Sequence, residues 1–190
     1  MQKIFPLLLL LTAPIILQAQ PYKKLHNKAI VIDTHNDFPS ASIEKKVGFD
    51  ENLEGKTHSD IFRAKAGGLD AQVFSIWCGP EQTNPYEWAN REIDSVYEWV
   101  RRNPDKMMMV YNPEDLQKAI KEKKFAAMLG VEGGHMIKYK IENLDKLFAR
   151  GVRYMTLTWN NSSSWATSAK DETEKKIYCH TRALLILENK

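Results

Sequence analysis

A chain of 190 residues with 43% hydrophobic content is long enough to bury one core. Its formal charge of +3 is small and spread along the chain, with no basic stripe interleaved with aromatics, so a nucleic-acid partner is not expected. Two cysteines, Cys78 and Cys179, offer at most one disulfide, too few for a disulfide scaffold.

Residues 1–19 have the layout of a secretory signal. Lys3 stands near the start, an apolar middle runs from Leu7 to Leu17, and Ala19 marks the expected cut. Pro6 and Pro14 interrupt the apolar stretch, which is short for a membrane span, and no cysteine follows it as a lipid site. An exported, soluble product without membrane association is expected, periplasmic or extracellular. Its net charge falls to +2, because the segment carries one lysine and no acid.

Ala29-Ile30-Val31-Ile32, three of them β-branched, reads as a short strand buried on both faces. The run breaks into Asp33-Thr34-His35-Asn36-Asp37. If the backbone stays extended, His35 and Asp37 are two apart and aim at one spot. An imidazole and a carboxylate sharing a spot are half of a metal site. The same residues also read as a turn with a surface histidine, and this stretch alone does not separate the two.

Residues 38–58 lack periodicity and read as a long loop leaving the strand. Asp60 to Ala66 makes a short helix closed by Gly67 and Gly68, and Leu69 to Trp77 returns to a strand pattern. Asn84 as cap, Pro85 at the first helical position and Glu87 open a helix whose apolar side is Ala89, Ile93, Val96 and Val100. Met107 to Val110 suits a short strand, its methionines filling core. Asn112, Pro113 and Asp115 repeat the start signal, with Leu116 and Ile120 on the buried side. Phe125 to Val131 is a second buried strand, ending at Glu132-Gly133-Gly134-His135. Leu144, Leu147 and Phe148 outline a helix that stops at Gly151, and Val152 to Thr158 forms a further strand running into Trp159.

Strands alternating with helices imply an α/β fold with parallel strands, as an open sheet or a closed barrel. Both architectures gather functional groups at the carboxyl ends of the strands, where His35, Asp37, Glu132 and Trp159 fall. Three nitrogen and oxygen donors on two strand ends favour a metal site. A carboxylate such as Glu132 can bridge two divalent ions that share an acidified water. Gly133 and Gly134 let the backbone turn sharply there. His135 is open between ligand and hydrogen-bonding support.

Three stretches carry a family resemblance: Asp33-Thr34-His35-Asn36-Asp37-Phe38-Pro39, Gly130-Val131-Glu132-Gly133-Gly134-His135, and Gly151 to Trp159. In this order they resemble the membrane dipeptidase (renal dipeptidase) family of zinc peptidases, with similarity from about Ala29 to about Glu174. The resemblance implies a (β/α)8 TIM-type barrel with two Zn2+ ions and hydrolysis of dipeptides, often with a D-residue in the second position. It implies His35 and Asp37 as ligands of the first zinc, and Glu132 as the catalytic carboxylate bridging both beside the attacking hydroxide. A homodimer is compatible with it.

Two departures stand out. Trp159 occupies the place of a substrate-contacting histidine in well-known animal members, so substrate contact is expected from Trp159, Asn160 or Asn161. The family's further two zinc-binding histidines, its substrate-binding arginine and its proton-handling aspartate come from later strands and are not matched here. A barrel of this type needs roughly 250 residues, so the expected organisation is a signal at 1–19, the N-terminal half of a dipeptidase barrel at 20–176, and a tail at 177–190 unlike the family, as after a frameshift. Such a chain is expected to bind at most one zinc weakly, to fold poorly because a half barrel leaves sheet edges and apolar faces uncovered, and to be inactive or impaired. Adjacent Cys179 and His180 in that tail are read as unselected sequence rather than replacement ligands.

Two other functions compete. Asp33-Thr34-His35 also matches the opening of binuclear metallophosphatases, whose later Gly-Asp-x-x-Asp and Gly-Asn-His-Asp/Glu motifs do not occur. A non-catalytic exported binding protein would instead use Trp77, Trp159 and Trp165 as a ligand surface.

Overall fold

The computed structural model describes residues 21–171. The proposed signal at 1–19 and the stretch with Cys179 and His180 lie outside the described residues. Elements follow in the order α1 (Pro21–His26), β1 (Ile32–Asn36), α2 (Phe38–Lys45), α3 (Ile61–Ala66), β2 (Ala71–Ile76), α4 (Pro85–Arg102), β3 (Met107–Met109), α5 (Pro113–Lys121), β4 (Phe125–Val131), α6 (Ile141–Ala149) and β5 (Val152–Met155). All strand pairs are parallel, as the alternation of strands and helices requires. No helix among the described residues is long and apolar enough to cross a membrane.

The sheet is organised on β4. β2 pairs along its whole length, from Ala71 beside Ala126 to Ile76 beside Val131. The opposite edge of β4 is shared. β3 takes its start, at Phe125 to Ala127, and β5 takes its end, at Leu129 to Val131. Both faces of β2 are buried, so its residues need no polar alternation.

Helix α4 supplies the largest cover. Ala89, Ile93, Val96 and Trp99 are buried on one stripe, as their spacing requires. Phe49, Phe74, Phe38 and Trp99 pack edge-on beneath it at ring separations of 5.0 to 5.5 Å. The methionine run is core filling as expected, with Met107 and Met109 buried.

Several local expectations need correction. The first strand is Ile32–Asn36 rather than residues 29–32, and it is largely exposed, because β1 pairs only with β2 among the described residues and no helix covers its outer residues. The supposed loop at 38–58 contains α2, where Pro39 suits the first turn and Phe38, Pro39, Ser40 and Ser42 are buried. Its pattern escaped periodicity because three of these four buried residues are Ser or Pro. Asn84 precedes α4 but makes no side-chain cap, whereas Asp60 and Asn112 accept the N–H groups of Arg63 and Asp115 as their positions predict. β5 ends at Met155.

Candidate metal centre

β1 delivers His35 at its C-terminal end, and Asp37 follows where the chain turns into α2. Asp37 is not extended: its φ of −80° and ψ of 18° place it at the helix N-cap. The two side chains still meet, His35 Nε2 lying 3.3 Å from Asp37 Oδ1, because the turn rather than strand alternation brings the carboxylate back. Asp33 Oδ1 accepts the His35 backbone N–H at 3.1 Å and shapes that turn.

Glu132 arrives from the end of β4. β2 lies between β1 and β4, so the two tips are two strand spacings apart, about 9–10 Å, rather than adjacent. The side chains span that gap: Glu132 Oε2 is 3.4 Å from His35 Nε2. One donor atom from each of His35, Asp37 and Glu132 lies within 4.8 Å of the others. Bonds of about 2.0–2.1 Å to tetrahedral donors put those donors about 3.3–3.4 Å apart, which the His35–Asp37 and His35–Glu132 separations match. The residues present therefore fit a divalent cation held by one nitrogen and two carboxylates. Among the described residues no second group of three such donors occurs.

The electrostatics agree with a site built for positive charge. Burial pushes the Glu132 carboxyl above the usual carboxylate range, the Asp37 charge adds to this, and only His35 opposes it. The Tyr154 hydroxyl is raised by burial and by the charges of Glu132, Asp37 and Asp33.

The loop after Glu132 is fixed by close backbone packing. Gly133 has a φ of +93°, and a Cβ there would come within 2.5 Å of the His135 ring and 3.3 Å of Trp159 Cβ. Its N–H donates to Thr156 Oγ1 at 2.8 Å. His135 is buried with Nε2 3.0 Å from the Cys78 carbonyl, outside the three-donor cluster. Trp159 is half-buried beside Gly133 with its ring centroid 4.9 Å from that of Trp77, and Asn160 is exposed in the next loop. Cys78 is buried with its sulfur 3.4 Å from Met136 Sδ, and burial pushes its thiol up to about 12.

The family model described as membrane dipeptidase (Peptidase family M19) matches residues 19–184. The chain belongs to this family. Solved structures share the fold of this membrane dipeptidase family member. A dipeptidase AC, a family M19 metallopeptidase, is 16% identical with a TM-score of 0.64 over 73% of this chain and 45% of its own. The probable dipeptidase PvdM from Pseudomonas aeruginosa is 21% identical, with a TM-score of 0.61 over 76% and 38%. A metallopeptidase from Rhodobacter sphaeroides, liganded with a phosphinate mimic of the dipeptide L-Ala-D-Ala, is 14% identical, with a TM-score of 0.63 over 73% and 48%. The chain thus spans less than half the length of these structures.

Within this family member, sequence reasoning missed two residues behind the cluster. Tyr154 reaches from β5 over Gly130 to β1, its hydroxyl donating to the Thr34 carbonyl at 3.1 Å and lying 3.5 Å from His35 Nδ1. The signal for it was Gly130, whose missing side chain leaves room for the ring. The other is Glu92, three residues after Ala89 and four before Val96, a charged residue inside the apolar stripe of α4. Trp77, Trp159 and Trp165 are half-buried and packed against neighbours, so the three do not form one exposed ligand surface.

Proposed function

We propose that the chain provides the first metal site of an exported zinc dipeptidase, with His35 and Asp37 as ligands of one zinc and Glu132 as the carboxylate shared with a second. The observation that carries this reading is the convergence of His35, Asp37 and Glu132 at one end of a parallel sheet. Family membership and the dipeptide mimic held by the Rhodobacter sphaeroides relative support dipeptides, including those with a D-residue in the second position, as substrates.

Zinc, when bound, polarises a carbonyl and acidifies water. The chain's own residues prepare for it. Glu132 and Asp37 supply negative charge, and Tyr154 approaches the far ring nitrogen of His35, leaving Nε2 free to face the cluster. Trp159, braced by Trp77, offers a rigid apolar wall, and exposed Asn160 offers an amide donor and acceptor for a peptide.

The test is a zinc titration of the purified chain against a competing chelator, with L-Ala-D-Ala and a phosphate ester as alternative substrates. Zinc binding that is lost in both His35→Ala and Glu132→Gln, with any hydrolysis confined to the dipeptide, is the expected result. Variants that bind zinc as tightly as the parent would overturn the assignment. Sequencing the N-terminus of the exported protein tests cleavage after Ala19.

A further inference from the structure

Glu92 is fully buried, and its carboxyl group gathers three polar partners, from α2, from its own helix and from the segment after β2. Ser40 Oγ in α2 lies 2.6 Å from Oε1, the Trp88 indole N–H donates to Oε1 at 3.0 Å, and the Trp77 backbone N–H donates to Oε2 at 2.8 Å. Ser40 is the third residue after Asp37, and Trp77 follows β2 and packs on Trp159. Glu92 thus joins the first turn of α2, which follows Asp37, to the segment after β2, the strand between β1 and β4.

The proton count around Ser40 is decisive. Its hydroxyl oxygen also lies 2.8 Å from the Trp77 carbonyl oxygen. A carbonyl only accepts, so the single Ser40 proton is needed there. The 2.6 Å contact between Ser40 Oγ and Glu92 Oε1 then has no proton unless the carboxyl group carries it. With a carboxylate, one of the two short contacts sets oxygen lone pairs against each other.

We propose that Glu92 is a positioning residue acting as a neutral carboxylic acid: its O–H donates to Ser40, Ser40 donates to the Trp77 carbonyl, and the Trp77 N–H donates back to Glu92. This closed ring clamps the turn after His35 and Asp37 to the end of β2. Its effect on metal binding rests on the function proposed above, whereas the protonation state does not. The environment agrees. Burial pushes Glu92 up to about 8, with the Asp37 charge adding to the rise against the Trp88 and Trp77 N–H groups. The titratable groups facing it are Asp37 at the start of α2 and the neutral Cys78 thiol beyond β2, and among the described residues no cation pairs with it.

Glu92→Gln decides the matter, because its amide NH2 donates to Ser40 as the acid does and its oxygen accepts the Trp77 N–H. Only the Trp88 bond is lost. Since the folded group holds its proton above the unfolded value, stability is full at low pH and declines as pH rises toward 8. The folding equilibrium constant of the full chain is expected to fall by up to about tenfold per pH unit from about pH 5 to about pH 8 relative to Glu92→Gln. The parent should show the infrared carbonyl band of a protonated carboxyl group, absent in the variant. Glu92→Gln should keep zinc affinity near the parent's, while Glu92→Ala, or Ser40→Ala if that variant does not fold, should lose roughly tenfold or more. Equal pH slopes in parent and Glu92→Gln, or no difference in the infrared band, would overturn the proposal. A parent that binds no zinc yet shows the slope and the band would refute the metal assignment and leave the neutral acid standing.

Discussion

Replacing Gly130 by Ala tests whether the support behind His35 is built on a missing side chain. A Cβ at this position would lie 2.2, 2.4 and 2.7 Å from three ring atoms of Tyr154, its cross-strand neighbour on β5. Non-bonded carbons settle at about 3.5–4.0 Å, so the ring must move by about 1 Å or more. That displacement breaks the 3.1 Å bond to the Thr34 carbonyl and withdraws the hydroxyl from His35 Nδ1. Overpacking costs about 1–3 kcal/mol and the lost hydrogen bond about 0.5–1.5 kcal/mol, giving a destabilisation of about 2–4 kcal/mol. The assay is a urea-unfolding cycle of parent, Gly130→Ala, Tyr154→Ala and the double variant. With the ring gone the methyl group has room, so the two substitutions should couple by about 2–3 kcal/mol. Additive costs, or a neutral Gly130→Ala, would show that the ring does not depend on the glycine.

Three further outcomes follow from named contacts. Phe74→Ala, which empties a fully buried site between Phe49 and Trp99, should cost about 3–5 kcal/mol in chemical denaturation. Zinc at 100 times its dissociation constant should raise the stability of the parent by about 2.7 kcal/mol, an increment that Glu132→Gln and added chelator should both abolish in thermal melts. Burial alone would raise the Asp60 carboxyl, but the Arg63 N–H and guanidinium and the Leu53 N–H outweigh it and hold it below the usual range. Its contribution is therefore complete above the ordinary carboxylate range and lost on acidification below about pH 4. Acid titration of stability should be shallower in Asp60→Asn than in the parent, and parallel curves would contradict this.

Where the backbone follows short-range rules, the residues alone located the elements. Phe125–Val131 is a strand over its expected span because a continuous apolar run between polar ends has no other place than a buried central strand. Helix α4 begins at Pro85 and buries Ala89, Ile93 and Val96 because periodicity and helix geometry coincide. Errors fell where neighbours overrule local preference. Ile30 and Ile32 look like core and are exposed, since a strand's burial depends on what packs against it. Ser40 and Ser42 look like loop and are buried, since their hydroxyls find acceptors in Trp77 and Val47.

The candidate site divides in the same way. His35, Asp37 and Glu132 were legible because ionisable residues that interrupt apolar strands at their C-terminal ends carry a cost that chemistry explains, and parallel topology gathers those ends. Family membership likewise follows from order and identity along the chain. The 3.3 and 3.4 Å separations, the passage of Tyr154 over Gly130 and the proton ring of Glu92, Ser40 and Trp77 had to come from the folded molecule. Apart from the His35–Asp37 contact, these join residues 15 to 119 positions apart by angles and distances of a few ångströms, which depend on sheet twist and packing and leave no local pattern for a linear string to display.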